Sequence, residues 1–168
     1  MQIKTKLIFM VFFAIYSTSA LAFKNEPLGF RGAKWGMNIS SNPQMILKSS
    51  KKYEKVYIRK DDKLSIGNAK LKRLVYFTYK DKFSSVLITT KGIANRRALI
   101  DAFQANFGKG YKPNKYINEY LWEGSTSTVF ITCNSFNKTC TATIGSTLIA
   151  NKKKNDAKEA AKAAGSDF

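Results

Sequence analysis

Two cysteines separated by six residues, each flanked by a segment of alternating character, constrain the fold of this chain more than any other feature. Apolar and polar residues alternate before Cys133 and after Cys140, which is typical of β-strands. In a hairpin that pairs the two cysteines, one face holds Val129, Ile131, Ala142 and Ile144, and the other holds Thr132, Thr141 and Thr143. A shift of one residue would mix the two faces, so the register that joins the apolar residues also brings the thiols together. The sequence therefore predicts a disulfide-linked C-terminal hairpin.

A metal site and a redox pair are the alternatives for these cysteines. A structural zinc site needs about four Cys or His ligands, and the chain has two Cys and no His. Thiol–disulfide oxidoreductases use a Cys-x-x-Cys spacing, which is shorter than the spacing here. We therefore expect a structural disulfide, worth about 2–3 kcal/mol in the chain-entropy model, with no metal and no cofactor.

The first 22 residues have the three parts of a cleavable signal peptide. Lys4 and Lys6 make the start positive, residues 7–16 are all apolar or aromatic, and Ala20-Leu21-Ala22 supplies a small-x-small cleavage pattern. An uncleaved membrane anchor is the alternative, but a spanning helix needs about 20 apolar residues. We expect cleavage near Ala22, a mature chain without a transmembrane span, and a periplasmic or secreted location, where disulfides form.

The sequence after the signal peptide predicts an α+β fold, with a mostly antiparallel sheet and two helices packed on one face. Besides the hairpin, strands are predicted at residues 30–35, 53–60, 72–79, 83–90 and 120–122, and helices at residues 44–52 and 92–107. The first helix is predicted because Pro43 follows the capping residues Ser41 and Asn42. Residues 23–150 form a single domain, and residues 151–168 are a Lys/Ala-rich tail that we expect to be a frayed helix or disordered.

Basic residues strongly outnumber acidic ones. The chain has 29 Lys and Arg against 11 Asp and Glu, a formal net charge of +18 at pH 7. This excess favours an acidic partner such as anionic lipid, a cell-wall polymer or an acidic protein surface. Nucleic acid is less favoured, because few of the cations are Arg, whose planar group suits phosphate. The other interpretation is compositional, since an AT-rich genome encodes Lys freely.

Three groups of residues are candidate binding surfaces. In the first and third, cations lie near aromatic residues, and charge and ring stacking together suit nucleic acid or glycan; the second is a pair of arginines near the start of the predicted helix, which could meet a phosphate. The groups are Arg31, Lys34 and Trp35; Arg96 and Arg97; and Lys109, Tyr111, Lys112 and Lys115. The alternative for each group is a solvated face whose rings turn into the core. Residues 152–154 are three further lysines, which would attract an anionic membrane.

No catalytic constellation stands out. The absence of His removes the commonest general base, and Asp61-Asp62 is typical of a turn. Glu119 and Glu123 are four residues apart in a predicted strand and share a face, so they would suit a carboxylate-dependent cell-wall glycan enzyme. Two solvated carboxylates are the alternative. We predict no catalytic residue and expect a non-enzymatic protein.

The stretch from Gly29 to Asn38, Gly-Phe-Arg-Gly-Ala-Lys-Trp-Gly-Met-Asn, resembles the opening of many small exported bacterial proteins, where a polar cap leads from a strand into a helix. It is also similar to the helix entry of SmpA/OmlA-type outer-membrane assembly lipoproteins and of β-lactamase-inhibitor-like domains. The chain departs from the lipoproteins because no Cys follows Ala22. The resemblance implies a small helix-on-sheet binding module in the periplasm and supplies no catalytic residue.

These features together indicate a non-enzymatic exported basic binding protein that acts on an acidic envelope component or protein partner. Two other functions are alternatives. An accessory subunit of a secretion or conjugation machine would form a stoichiometric complex that survives moderate salt. A glycan enzyme would lose turnover, with folding intact, when Glu119 and Glu123 are replaced.

Export gives the first testable prediction. Protein recovered from the periplasm or medium should begin at Phe23, because signal peptidase cuts after the small-x-small pattern, and both thiols should resist alkylation. Intact-mass spectrometry with and without an alkylating reagent measures both properties. A chain that starts at Met1, or that gains two alkyl groups without reduction, would contradict the cleavage or the disulfide.

Overall fold

The computed structural model describes residues 23–165, so the predicted signal peptide lies outside the described residues. This part of the chain forms eleven strands and two helices. In chain order, the elements are β1 Gly29–Phe30, β2 Ala33–Lys34, β3 Met45–Lys51, β4 Glu54–Arg59, β5 Ser65–Ile66, β6 Ala69–Lys70, β7 Arg73–Tyr79, β8 Lys82–Lys91, α1 Ile93–Phe107, β9 Glu119–Glu123, β10 Ser127–Asn134, β11 Thr139–Ser146 and α2 Thr147–Gly165. Neither helix is long and apolar enough to cross a membrane.

A seven-stranded antiparallel sheet organises the fold, in the order β3-β4-β7-β8-β11-β10-β9. The pairs β1-β2 and β5-β6 form two small separate hairpins. The predicted α+β class with a mostly antiparallel sheet is therefore confirmed. The hairpin of β7 and β8 and the helix α1 were also predicted, because residues 72–90 alternate with period two and residues 92–107 change to helical spacing.

The C-terminal hairpin has the predicted register. Cys133 lies opposite Cys140 in β10 and β11, and the two residues form a disulfide. In the same pairing Ile131 faces Ala142, and the threonines point to the opposite side. The prediction held because the disulfide, the alternation and the short connection all require one register.

One face of the sheet, which we call the inner face, carries the core. Its cross-strand rows are apolar from β7 to β10, and α1 covers them with Leu99, Phe103 and Phe107. The rows are Leu74, Ile88, Ala142 and Ile131, and next to them Tyr76, Val86, Ile144, Val129 and Trp122. All of these residues are buried.

The first residues of the described chain are tied to this core. Phe23 packs edge-on against Phe107, with ring centroids 5.4 Å apart. The carboxylate of Glu26 accepts hydrogen bonds from the backbone N–H groups of Thr126 and Ser127 at 2.5 and 2.6 Å. These contacts hold residues 23–26 against α1 and the turn between β9 and β10.

The predicted helix at residues 44–52 is wrong, because this segment is strand β3. Its two candidate cap residues serve turns instead: the hydroxyl of Ser41 donates to the carbonyl of Asn38 at 3.3 Å, and the N–H of Gln44 donates to Asn42 Oδ1 at 2.9 Å. The predicted strand at residues 30–35 is likewise a tight hairpin. Arg31 and Gly32 occupy its turn, both with positive φ.

One of the two predicted helices is therefore present as α1, and the second helix is α2 in place of the one predicted at residues 44–52. Helix α1 covers the inner face, but α2 contains most of the Lys/Ala-rich segment and contacts the opposite face. We call this opposite face the outer face. Most of its central residues are half-buried, and Val75 is buried. The edge strands are β3 on one side and β9 on the other.

The two edge strands of the sheet, β3 and β9, differ in what occupies their free sides. Strand β3 carries lysines and is mostly exposed, with Lys48 and Lys51 on it. The free side of β9 is partly paired, because Tyr111 and Leu121 exchange backbone hydrogen bonds at 2.8 Å.

The disulfide predicts a measurable loss of stability on reduction. Closing so small a loop restricts the unfolded chain, so reduced protein should unfold with a free energy about 2–3 kcal/mol lower. Urea denaturation of oxidised and reduced protein, followed by Trp fluorescence, measures the difference. Coincident unfolding curves would show that the hairpin is held by its pairing alone.

Candidate functional site

Helix α2 is attached to the outer face by charged and polar contacts near one end of the sheet. Lys153 forms an ion pair with Glu54 of β4. The carboxylate of Asp156 accepts a hydrogen bond from the hydroxyl of Tyr79 at 2.8 Å and lies 2.6 Å from Nζ of Lys80. The helix thus reaches across β7 to β4, where the β3–β4 and β7–β8 turns lie side by side.

These contacts gather lysines from three distant segments. The two turns are joined directly, because the N–H of Lys80 donates to the carbonyl of Tyr53 at 2.7 Å, and Nζ of Lys55 lies 2.6 Å from Asp81. We call the resulting cluster the basic end; it consists of Lys51, Lys52, Lys55, Lys80, Lys82, Lys152 and Lys153. Three carboxylates pair with members of this cluster, so it keeps an excess of positive charge.

An exposed tyrosine stands among these lysines. Tyr53 is 46% exposed, and the ammonium groups of Lys52 and Lys80 lie 4.9 and 5.1 Å from its ring centroid. Tyr79 meets the same ring edge-on at 6.2 Å. Cations above an aromatic face are attracted to its negative quadrupole, so the rings hold the lysines close together without removing their charge.

The contacts of Asp156 shift three pKa values. Hydrogen bonds from Lys80 and then Tyr79 lower the pKa of Asp156 below its ordinary value. The hydrogen bond to Asp156 raises the pKa of Lys80, and burial, with the same carboxylate, raises the pKa of Tyr79. At neutral pH the carboxylate and the ammonium group are therefore charged and the phenol is neutral, which is the combination that this network needs.

An apolar pocket of about 270 Å³ lies between α2 and the outer face, beside the basic end. Phe77 and Phe130 line its walls, and Ile149 of α2, which is buried, lines it from the helix side. Most of the other lining residues are small or carry hydroxyls: Thr78, Ser84, Ser85, Thr128, Thr143, Gly145, Ser146 and Ala150. At the basic end the pocket is lined by Glu54, Tyr79 and Lys153.

Two small residues at the centre of the sheet, Ser85 and Gly145, line the floor of this pocket. Gly145 of β11 lies directly opposite Ser85 of β8 on the outer face. A Cβ atom added to Gly145 would lie 3.1 Å from Cβ of Ser85 and 3.3 Å from the carbonyl of Ser84. The neighbouring inner-face pair is Val86 and Ile144, so the loss of bulk is confined to the outer face.

Two of the three residues in the first predicted binding group make structural contacts. Arg31 forms an ion pair with Asp62 and donates to the carbonyl of Ser65 at 2.8 Å. Trp35 donates from Nε1 to the carbonyl of Pro27 and to Ser127 Oγ, at 2.9 and 2.7 Å. Lys34 is exposed.

Asp62 also accepts a hydrogen bond from the buried hydroxyl of Tyr76 at 2.6 Å. Burial of that phenol, and then its bond to the carboxylate, raises the pKa of Tyr76 well above its ordinary value. The network that includes Arg31 therefore joins the β1–β2 turn to the core.

The other two predicted groups lie at opposite ends of α1, about 20 Å apart at 1.5 Å per residue. Arg97 is exposed near the start of the helix, and Arg96 is half-buried. After its end, Lys109, Tyr111, Lys112 and Lys115 are all exposed. Nζ of Lys112 lies 5.2 Å from the ring of Tyr120, and that of Lys115 lies 4.9 Å from the ring of Tyr116. The structure does not unite these groups into one surface.

The carboxylates Glu119 and Glu123 do share the outer face of β9, on either side of Leu121. Four residues of strand separate their Cα atoms by about 13 Å, and Phe130 lies opposite Leu121 in the next strand. Glu119 also accepts a hydrogen bond from Thr132 at 3.2 Å. Within residues 23–165, no group of three or more His, Cys, Asp or Glu side chains is arranged to hold a metal ion.

Comparison with known proteins finds no match: no protein-family model, curated protein or solved structure is significantly similar to this chain. The basic end was not predicted from the sequence, apart from Lys152 and Lys153, because its segments meet only through the sheet and α2. The pocket was not predicted either. The available signal for the pocket was the small size of Ser85 and Gly145 within predicted strands.

The Asp156 network predicts a pH-dependent attachment of α2. Because the folded pKa of Asp156 is lowered, its contribution is present above the unfolded pKa of about 3.9 and is lost as pH falls through the folded value. NMR signals of α2 amides should therefore shift in acid. In Asp156→Asn protein the same signals should already resemble the acid form near neutral pH. An unchanged spectrum in this variant would contradict the role of Asp156.

Proposed function

We propose that the mature chain is an exported, non-enzymatic binding protein whose basic end engages an anionic component of the cell envelope. One observation carries this proposal: three separate segments place seven lysines at one end of the sheet, and two of them, Lys52 and Lys80, lie over the exposed ring of Tyr53. A folded protein gathers like charges against their mutual repulsion, and an anionic partner relieves that repulsion.

Lysine suits such a partner. Its ammonium group is a flexible point charge that does not require a fixed bidentate geometry, and each lysine near an anionic lipid surface contributes about 1 kcal/mol. Lys154, Lys158 and Lys162 follow on α2 at intervals of four residues, so they lie along one side of the helix. These residues extend the positive surface beyond the sheet.

Two features support export. The first 22 residues have the pattern of a signal peptide, and the Cys133–Cys140 disulfide is of the kind that forms in oxidising compartments.

Vesicle binding tests the proposal. Protein consisting of residues 23–168 should bind vesicles that contain anionic phospholipid, and should not bind purely zwitterionic vesicles. Binding should weaken steeply with salt, because the attraction is screened. Lys52→Glu/Lys82→Glu protein should bind about tenfold or more weakly; neither lysine belongs to an ion pair that fixes α2.

Lys109→Glu/Lys112→Glu protein is the matched control, since it has the same net charge and changes a surface outside the basic end. It should bind within about twofold of the unaltered protein. Equal weakening in both variants would show that net charge alone acts. Cross-linking in the native envelope that recovers one protein at high salt would instead support the accessory-subunit alternative.

A further inference from the structure

We infer that the apolar pocket between α2 and the outer face binds the unbranched acyl chain of a single-chain anionic amphiphile, with its headgroup at the basic end. This inference rests on the proposed function and names the ligand class. The pocket and the basic end share Glu54, Tyr79 and Lys153, so one elongated molecule can occupy both.

The lining fits hydrocarbon. The aromatic rings of Phe77 and Phe130 and the side chain of Ile149 provide apolar contact, and the small residues Ser85 and Gly145 line the floor. Protein interiors are normally packed to a density that leaves little space of this size. A chain of methylene groups would fill the pocket, and a large side chain at position 85 would occupy it.

Backbone pairing disfavours a peptide in the same place. Strands β7, β8, β11 and β10 are each paired on both sides, so their ladder N–H and C=O groups already have partners. An extended peptide would bring its own backbone groups to a surface that cannot satisfy them, which is costly. A helical peptide satisfies itself, but its diameter of about 10–12 Å is large for a pocket of about 270 Å³. An acyl chain has no such groups.

The charge at the mouth selects the headgroup. Lys153 lies at the pocket edge in an ion pair with Glu54, and Lys51 is opposite Glu54 in the pairing of β3 and β4. Lys82 is opposite Tyr79 in the next hairpin. A carboxylate or phosphate at this point would lie among several ammonium groups, and a cationic headgroup would be repelled.

A chain-length series tests the assignment. Straight-chain alkyl carboxylates and alkyl phosphates are titrated into residues 23–168 by calorimetry, below their micelle concentrations. Affinity should rise about fourfold per added methylene until the pocket is full, and then level off. A neutral alcohol of the same length should bind more weakly. The preferred headgroup separates the two sources of this chemistry, a free fatty acid or a phosphate-bearing lysolipid.

Two variants fill the pocket from different sides. Ser85→Ile adds bulk to the floor, and Ala150→Phe adds it from the exposed side of α2, so that a folding defect in the strand variant leaves the second one usable. Each should weaken binding of the longest soluble amphiphile at least tenfold. Thr141→Ile is the control, because Thr141 is on the outer face of β11 but does not line the pocket.

The outcomes separate the inference from the proposed function. If affinity does not depend on chain length, or neither pocket variant weakens it, while vesicle binding still requires Lys52 and Lys82, the pocket assignment is overturned and the basic end stands. If chain-length dependence is found but a neutral alcohol binds equally well and vesicle binding ignores both lysines, the anionic headgroup and the proposed function are overturned together. The expected result is a loss confined to Ser85→Ile and Ala150→Phe.

Discussion

The antiparallel pairing of β8, β11 and β10 is the constraint on which the rest of the molecule depends. In each of these strands, successive side chains point to opposite faces, so one register places Val86, Ile144 and Val129 together on the inner face. The same register places Ser85 and Gly145 together on the outer face. The packed core and the open pocket are thus two results of one alternation. A shift of the register by one residue would move the large apolar side chains to the outer face and the small residues to the inner face.

The two helices meet this sheet in different ways. Helix α1 buries three large side chains against the inner face, and such burial contributes about 1.5–3 kcal/mol for each large residue. Helix α2 has Ile149 as its one buried residue among those described, and is otherwise held by ion pairs and hydrogen bonds. Exposed ion pairs contribute only about 0–1 kcal/mol each. The molecule therefore combines a firmly packed side with a side whose cover is weakly held, and the pocket lies on the second.

How far the sequence could predict the fold depended on the range of the interactions. The hairpin of Cys133 and Cys140 was predicted residue by residue, because period-two alternation and a short connection are local. The segment at residues 44–52 was misread because Asn38 and Asn42 accept backbone N–H groups in turns as readily as at a helix start. The basic end could not be predicted, because Lys52, Lys80 and Lys152 are far apart in the chain and meet only after β4, β7 and α2 are in place.

The edge strands of the sheet decide whether a second copy of this protein can pair with it. An unpaired edge strand is a template for another chain, and a protein with a net charge excess on one edge resists that pairing. If two copies approached along the edge formed by β3, the lysines of one copy would lie near those of the other and repel them. On the other side, the bridge from Tyr111 to Leu121 already occupies part of the free edge of β9. Charge on one edge strand and a backbone bridge on the other therefore both oppose the addition of an eighth strand from a second copy.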